Sequence, residues 1–538
     1  MKNRKIMKKR ELLFACIAAV MLSGGGCDLS LEPAGDAVTG DRKNQLVTLD
    51  PLKVQSDVNG LYAGLIQAFA ISSWAGRDNH FDFGYPAACL MFDASGMDMP
   101  SENSGYNWFN SQMLFTDRVA NGTATYFLWH LFYARVKTAN DIIAVIDPAT
   151  TDKALKAYLG QALASRAFDY LHLAQVYQFT YKGHERALSV PLVLQDATPR
   201  EVNDNPRVTL ERLFEQIVGD LTSAIALLDG FDRRGKKEVI NANVARGLRA
   251  RAYLLMERWQ DAADDAAKAL EGHVPYSIEE VSRPSFNDIA APSWIWGCAI
   301  SENNEVVQTG IVNFPSHACS LTGNGYAPAN AGRYINGALW NAIPAGDVRK
   351  GWWLDGKRSS PHLDTAWRIT YNGQEYGPAE WFGFRDSCLN VKFGPYKDIY
   401  NNPTNACDFP LMRAEEMILV RAEALAMGGD LAGGKKVLED FVKTCRYPAF
   451  ASTATTAGEL RDEIWLQRRV ELWGEGFSLF DLKRLKKPLE RVGTNFPAVA
   501  RFNLPVEDPI LLWLIPESEM NTNKGIQENN PVTPAPAA

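Results

Sequence analysis

The chain lacks the motifs from which most catalytic centres are built. Its 7 histidines are dispersed, and no HExxH pair for zinc occurs in the 538 residues. There is no GxSxG nucleophile motif, and none of the 8 cysteines belongs to a CxxC pair. The segment Gly323-Asn324-Gly325 lacks the third glycine of a phosphate-binding loop. The sequence therefore predicts no catalytic residue, no metal site and no cofactor.

Clustered basic charge is also scarce beyond the first ten residues. The net charge is −7 and the isoelectric point is near 5.7, with the remaining lysines and arginines scattered along the chain. This distribution argues against a nucleic-acid partner and disfavours a polyanionic substrate. The apolar fraction of 46% is that of an ordinary folded protein, and the length is enough for two or three cores.

The N-terminus has the order of an exported lipoprotein. Basic residues precede a short apolar stretch at residues 12–22, and three glycines and Cys27 follow it. The apolar stretch is too short to cross about 30 Å of hydrocarbon as a permanent helix. We therefore expect residues 1–26 to be a signal peptide, Cys27 to carry the lipid and residues 27–45 to form a linker. Gly24, three residues before Cys27, stands where a lipoprotein signal usually has leucine. Simple secretion is therefore the alternative.

Export to an oxidising compartment permits disulfide bonds between the six remaining cysteines. Cys298 and Cys319 are the pair closest in sequence. Isolated cysteines also serve as small buried apolar residues. The sequence alone leaves the pairing open.

Helical spacing dominates much of the chain. Residues 126–181 read as two amphipathic helices that are broken near Asp147-Pro148, because the residue before a proline is driven out of the helical region. Thr209 is a plausible helix cap, with Arg212 three residues on. Residues 459–485 read as one long helix.

Two segments resemble tetratricopeptide units. Residues 243–270 form a predicted helix-turn-helix in which small and large residues alternate at the repeat's spacing, so that paired helices can approach closely. Residues 415–442 carry a looser copy, with Gly428-Gly429 as its turn. The positions that carry the first pattern are Ala250, Tyr253, Trp259, Ala262, Ala266 and Ala269.

The region between the two copies, residues 271–409, loses helical periodicity and gains Gly, Pro, Asn and aromatic residues. It holds seven of the 14 tryptophans, and residues 293–300 read as a strand. The predicted fold class is mainly α: tetratricopeptide-like helical repeats form an α-solenoid scaffold, with an irregular, loop-rich, partly β middle lobe at 271–409. The other predicted divisions are an N-terminal region at 46–270, a C-terminal region at 410–530 and a tail at 531–538.

The order of several segments resembles the SusD/RagB family. The stretch from Pro410 to Leu425 resembles the family's "PLIRLAEVYLMYAEAL" helix, and residues 468–484 resemble its "RRIEL…EGHRYFDLRR" segment. Residues 515–521 resemble "IPQSEINAN", and Asp347-Val348-Arg349 resembles the "DPR" of the middle lobe. Each landmark is weak alone, but their ordered coincidence spans nearly the whole chain. Glu471, Arg468, Asp481 and Arg484 are expected to be packing and ion-pair residues.

The resemblance implies a function as well as a fold. It implies a surface-exposed protein that is anchored in outer-membrane lipid through Cys27. It also implies non-catalytic capture of an oligosaccharide or polysaccharide nutrient, which is delivered to a SusC-like TonB-dependent barrel. A peptide ligand, as in RagB-like members, is the alternative among binding proteins.

Aromatic and amide residues in loops suit sugar binding, because flat rings stack on apolar sugar faces while amides satisfy hydroxyls. Two loop stretches qualify, at residues 73–109 and 322–326. The predicted ligand-binding residues are Trp74, Tyr106, Trp108 and Tyr326. Trp340, at helical spacing beside apolar residues, is expected to lie in the core.

A secreted glycan-degrading enzyme is the alternative from another class. Glycosidase carboxylates are brought together only by the fold, so this class is tested by the positions of paired acids in the structure. Asp93 with Asp98 and Glu375 with Glu380 are the pairs that could be nominated. The solvated-surface interpretation of these acids is preferred.

Overall fold

The computed structural model describes residues 52–67, 79–329, 331–382 and 386–537. The predicted signal peptide, Cys27 and Trp74 lie outside the described residues. The predicted lipidation site and one of the four predicted ligand residues therefore stay predictions from the sequence.

The described residues are largely helical. The helices of at least ten residues are α1 (Leu52–Ala63), α2 (Tyr85–Ala94), α3 (Thr123–Val145), α4 (Lys153–Tyr177), α5 (Leu210–Leu227), α6 (Ala242–Leu255), α7 (Trp259–Ala269), α8 (Ala414–Met427), α9 (Leu431–Cys445) and α10 (Ala457–Glu471). The shorter helices are Asn110–Met113, Pro199–Val202, Ile278–Val281, Glu305–Gln308, Phe314–Ala318, Gly337–Ala342, Pro378–Phe382, Ser478–Arg484 and Glu517–Thr522.

The strands are short and pair two by two, all antiparallel. They are β1 (Leu188–Pro191) with β2 (Arg207–Thr209), β3 (Trp294–Cys298) with β6 (Phe409–Arg413), β4 (Ile369–Tyr371) with β5 (Gln374–Tyr376), and β7 (Leu489–Glu490) with β8 (Asn503–Leu504). The β3–β6 pair joins the early part of the middle lobe to its C-terminal end, because β3 lies 23 residues after the start of the lobe and β6 begins at its last residue.

Side chains at the helix ends explain where several long helices begin. The carboxylate of Asp152 accepts hydrogen bonds from the backbone N–H groups of Ala154 and Leu155 in the first turn of α4. Thr209 caps α5 by accepting from the backbone N–H of Arg212, as its sequence position predicted. Thr456 and Glu459 form a reciprocal capping box at the start of α10.

The long helices pack as a continuous row. Each helix from α3 onward contacts the next in sequence, and α8 contacts both α9 and α10. The two predicted tetratricopeptide copies are α6–α7 and α8–α9, and α7 packs directly on α8 although the middle lobe separates them in sequence. The repeats are therefore interrupted in the chain but continuous in space. The predicted fold class is confirmed.

The small residues of the repeats allow this close packing. Tyr253 of α6 shares an apolar cluster with Ala262 and Ala263 of α7 and Ala424 of α8. Alanine at these points removes the bulk that would hold the helices apart, so that the tyrosine ring fills the space between neighbouring repeats.

Two helix predictions need correction. Helix α4 is buried on almost all sides and is not amphipathic, because α3, α5 and α1 surround it. The single helix expected over 459–485 is two helices, α10 and Ser478–Arg484. Gly474 and Gly476 adopt positive φ angles of 84° and 88°, which end the helical path between them.

The tryptophans and cysteines of the described residues are mostly structural. Five tryptophans are fully buried, and β3 is buried on both faces, although one packed face was expected. All six cysteines in the described ranges are buried and free, so Cys298 and Cys319 are not bonded to each other. Among the described residues, none of the helices is both long enough and apolar enough to cross a lipid bilayer.

A buried ion network joins the last repeat helix to the middle lobe. The carboxylate of Glu471 pairs with Arg446 at 2.8 Å, with Arg413 at 3.3 Å and with Arg349 at 3.5 Å. Beside it, Arg413 also pairs with Glu475 at 2.9 Å. Arg468 and Arg484 also pair with Asp481, at 2.6 and 3.2 Å. The ion-pair role predicted for these residues and Glu471 is confirmed. These contacts fix α10 against β6 and the segment around Arg349.

The turn after α10 is held by a buried carboxylate. Asp93 accepts hydrogen bonds from the backbone N–H groups of Gly476 and Ser478, both at 3.0 Å. Burial raises the pKa of Asp93 to about 7, with Asp98 and Glu475 adding to the rise and the two hydrogen bonds opposing it. The folded protein therefore holds a proton here that the unfolded chain releases near pH 4.

This proton predicts a pH-dependent effect of Asp93→Asn. The stability contributed by the protonated Asp93 is fully present below pH 4 and is lost as the pH rises through about 7. We expect the unfolding free energy of the wild type, minus that of Asp93→Asn, to fall between pH 4 and 8 in urea titrations. A difference that is constant over this range would contradict the assignment.

Candidate functional site

Two loops that are far apart in sequence meet at one surface. Ser101 and Arg333 form an isolated antiparallel bridge, and the hydroxyl of Ser101 donates to the carbonyl of Gly332 at 2.7 Å. The backbone N–H of Tyr334 donates to the carbonyl of Pro100 at 2.9 Å. The early loop (residues 79–109 of the predicted stretch 73–109) and the middle-lobe loop that carries Tyr326 and Arg333 are thus joined by backbone pairing.

Buried polar groups fix the shape of the early loop. The guanidinium of Arg333 donates to the amide oxygen of Asn107 at 2.8 Å, and the amide nitrogen of Asn107 donates to the carbonyl of Glu102 at 2.9 Å. The backbone N–H of Phe109 donates to the same Asn107 oxygen at 3.1 Å. Burial lowers the pKa of Arg333 to about 10, which leaves it charged at neutral pH. Arg333 and Asn107 therefore fix the backbone on both sides of Trp108.

The aromatic residues of the two loops form one cluster, which we call the aromatic platform: His80, Tyr106, Trp108 and Tyr326. Tyr326 lies with its ring centre 6.3 Å from those of both Tyr106 and Trp108. His80 stacks on Trp108 with ring centres 4.6 Å apart, and its Nδ1 is hydrogen-bonded to the hydroxyl of Tyr326. Three of the four predicted ligand residues therefore lie together.

A buried histidine supports the platform from behind. The ring of His317 stacks between Phe83 at 5.3 Å and Tyr326 at 4.9 Å, and its Nε2 bonds to the carbonyl of His80 at 2.9 Å. Burial lowers the pKa of His317 well below its usual value, and Arg333 adds to this effect, so that the ring stays neutral. A neutral packed ring holds Tyr326 in place without placing a charge under it.

The platform is accessible to solvent. Tyr106 is 53% exposed, while Trp108, Tyr326 and His80 are half-buried. Half-buried rings on a fixed support can stack on a flat apolar face of a ligand with little loss of side-chain entropy. Burial raises the pKa of Tyr326, so its hydroxyl is protonated at neutral pH.

Two clefts lie beside the loops that carry the platform. A cleft of 740 Å³ is lined by Glu102 and Asn103 of the early loop and by Trp340. A cleft of 430 Å³ is lined by the loop that carries Tyr326, from Thr322 to Ala329. The prediction that Trp340 belongs to the core is wrong, because its ring is half-buried at the wall of the larger cleft.

Sequence reasoning missed the residues that support the platform. His80, His317 and Arg333 gave no local signal, because each is hydrogen-bonded to a partner more than fifteen residues away in the chain. Trp340 was misread because helical spacing beside Leu339 and Ile343 is also what a core residue would show.

Three of the four carboxylates nominated for catalysis, Asp93, Asp98 and Glu380, have structural partners. Asp98 pairs with Arg469 at 2.6 Å and accepts from the hydroxyl of Ser478 at 2.8 Å. Glu380 accepts from the backbone N–H of Gly377 at 3.1 Å. Within the described ranges, no group of three or more His, Cys, Asp or Glu side chains is placed to hold a metal ion.

A continuous row of helix pairs with an aromatic surface on its inserted loops defines a helical-repeat protein of the tetratricopeptide type. Residues 362–532 match the family described as the SusD family, and residues 89–254 match a family described as "Starch-binding associating with outer membrane". The chain belongs to the SusD/RagB family.

Individual proteins give the same result. The SusD-like protein P2 of Formosa agariphila is 24% identical over 449 residues, which cover 78% of this chain and 82% of that protein. A SusD-like carbohydrate binding protein from Bacteroides vulgatus superposes with a TM-score of 0.70 at 23% identity, covering 88% of this chain and 97% of that one. A laminarin binding SusD-like protein superposes with a TM-score of 0.63 at 18% identity, covering 89% and 99%. At these identities the solved structures establish the shared fold.

Proposed function

We propose that the protein captures an oligosaccharide or polysaccharide nutrient at the cell surface without cleaving it. The observation that carries the proposal is the aromatic platform, which is assembled from two loops more than two hundred residues apart and held by buried polar contacts. Exposed rings beside amide and carboxylate groups form the type of surface that stacks on sugar rings and hydrogen-bonds their hydroxyls.

The relatives support a carbohydrate ligand. One solved structure with this fold is described as carbohydrate binding and another as laminarin binding. The platform is formed jointly by the proposed N-terminal region (46–270) and the proposed middle lobe (271–409). A ligand on it would therefore contact both regions.

The proposal also covers the protein's location in the cell. The matched family is described as associating with the outer membrane. A lipid on Cys27 would anchor the protein there, and a SusC-like TonB-dependent barrel would receive the bound glycan.

Globomycin, which blocks cleavage of lipoprotein signals, should cause the full-length precursor to accumulate, and Cys27→Ala should abolish membrane retention.

Tyr106→Ala tests the platform directly. We expect the dissociation constant for a bound polysaccharide to rise about tenfold, which corresponds to ~1.4 kcal/mol, because the most exposed ring of the platform is lost. Affinity electrophoresis against a polysaccharide panel would identify the glycan, and isothermal titration calorimetry would measure the change.

Tyr371→Ala is the matched control, because Tyr371 is 55% exposed but lies on the β4–β5 hairpin outside the platform. Binding by this variant should equal that of the wild type, and neither variant should change the melting temperature. Equal affinity of Tyr106→Ala and the wild type would remove the platform from the proposal. Release of reducing ends from the bound glycan, abolished by changing one carboxylate, would show an enzyme instead.

A further inference from the structure

Trp340 has a fixed orientation at the wall of the 740 Å³ cleft. Its indole N–H donates to the carbonyl of Lys350 at 3.3 Å, and the ammonium of Lys350 lies 4.2 Å from the centre of the ring. That ammonium also donates to the carbonyl of Ile343 at 2.6 Å. The ring is thus clamped by Lys350, and the rest of its half-buried surface lines the cleft.

Polar groups around this ring are held in position by the protein. The amide of Asn495 accepts from the backbone N–H of Gly337 at 2.8 Å and donates to the carbonyl of Ile335 at 3.0 Å. Arg501 uses its Nε to donate to the carbonyl of Phe496 at 2.6 Å, which leaves its terminal nitrogens as further donors. Donors and acceptors that are already oriented bind ligand hydroxyls at a lower entropic cost.

The charges of the cleft select against anionic ligands. Its lining includes the carboxylates of Glu102 and Asp386 and the guanidinium of Arg501, so the formal charge of these three groups is negative. A sulfate or uronate group would meet two like charges and one opposite charge. A neutral sugar ring would stack on Trp340 and hydrogen-bond to the charged and amide groups without this repulsion.

The cleft lies close to the aromatic platform along the early loop. Asn103 lines the cleft and Tyr106 belongs to the platform, and three residues span at most about 10 Å of chain. A volume of 740 Å³ lies within the range of ~300–1,000 Å³ typical of ligand pockets. One extended ligand can therefore contact both places.

From this geometry we propose that the Trp340 cleft is a second subsite for a neutral oligosaccharide whose other end lies on the aromatic platform. The inference rests on the proposed function and adds a ligand class and a length requirement. Affinity rises with oligosaccharide length until both subsites are filled, because the second contact is made within an already bound molecule.

Two variants test the cleft in different ways. Trp340→Ala removes the stacking surface. Gly356→Phe fills the cleft from its rim, and a Cβ built on Gly356 meets no atom within 4 Å, so the fold can accept the larger side chain. Gly458→Phe is the matched control, because Gly458 is equally open but lies at the start of α10, outside the cleft lining.

Calorimetric titration with neutral gluco-, manno-, xylo- and galacto-oligosaccharides, from disaccharide to octasaccharide, and with their uronate counterparts, measures the effect. We expect Trp340→Ala and Gly356→Phe to weaken binding of the longest ligand by at least about tenfold and to abolish the length dependence. Binding of the shortest ligands, and all binding by Gly458→Phe, should match the wild type.

Other results would overturn the inference and leave the proposed function standing. They are unchanged length dependence in both cleft variants, tighter binding of the uronate series, or binding of polysaccharide by the wild type with no binding of any neutral oligosaccharide. Failure of the wild type to bind any polysaccharide of the panel would overturn the proposed function together with this inference.

Discussion

Glu471→Ala is expected to lower the free energy of unfolding by about 3–5 kcal/mol, because it leaves buried arginines without their counter-charge. Glu471 has no exposed surface and contacts Arg446, Arg413 and Arg349 through its two carboxylate oxygens. Burial by itself opposes ionisation, but these three arginines outweigh it and hold the pKa of Glu471 far below its usual range.

The network around Glu471 is balanced in charge. Four carboxylates face four cations: Asp347, Glu415, Glu471 and Glu475 against Arg349, Lys392, Arg413 and Arg446. Removing one carboxylate leaves an uncompensated positive charge among groups that water does not reach. Desolvation of that charge, and not the loss of one favourable pair, is the main reason for the large effect.

Chemical denaturation at neutral pH measures this prediction, with two comparison variants. Glu471→Gln keeps the volume and removes the charge, so it should lose most of the same stability. Asp440→Ala removes an exposed carboxylate that pairs with Lys436 at 2.7 Å, and it should cost less than ~1 kcal/mol. A Glu471→Ala protein within ~1 kcal/mol of the wild type would show that the network is not needed for stability.

Gly434→Leu is expected to cost about 3 kcal/mol, because α8 and α9 approach too closely for any side chain at this position. A Cβ built on Gly434 would lie 2.6 Å from the carbonyl oxygen of Ala422 and 2.9 Å from the Cβ of Ala426. The backbone oxygen of Ala422 belongs to α8 and cannot move without displacing that helix. The substitution would push apart the two helices of the second repeat.

Gly458→Leu is the control for Gly434→Leu. Gly458 is also a helical glycine, but its Cβ position is open, and replacing glycine in a helix should stabilise by up to ~1 kcal/mol. Thermal denaturation followed by circular dichroism would compare the two variants. Equal melting temperatures for Gly434→Leu and the wild type would mean that α8 and α9 are not closely packed.

Much of the scaffold could be predicted from local sequence. The tetratricopeptide units were found because small residues at fixed spacing are a requirement of helix packing, and such a requirement is visible within thirty residues of chain. The cap at Thr209 and the turn at Gly428-Gly429 were found for the same reason. The long helix over 459–485 was predicted wrongly, because apolar spacing continues across a turn whose positive φ angles are stabilised by Asp93, almost four hundred residues earlier.

The candidate site shows an even larger difference between what local sequence predicts and what only the fold decides. Composition alone indicated that Tyr106, Trp108 and Tyr326 stand in loops rich in glycine and asparagine, which favours exposure. That these loops meet depends on the bridge between Ser101 and Arg333. Trp340 was assigned to the core wrongly, because a helix of six residues has no face that sequence identifies as buried.

The sequence by itself determined the helical repeats, the positions of several helix ends and the family resemblance, because each depends on residues that are close together in the chain. Only the tertiary structure decided that the interrupted repeats stack as one row, that Glu471 lies among three arginines and that the aromatic loops form one surface. These features depend on contacts between residues tens to hundreds of positions apart. Such contacts are selected by the packing of the whole molecule, and no local pattern specifies them.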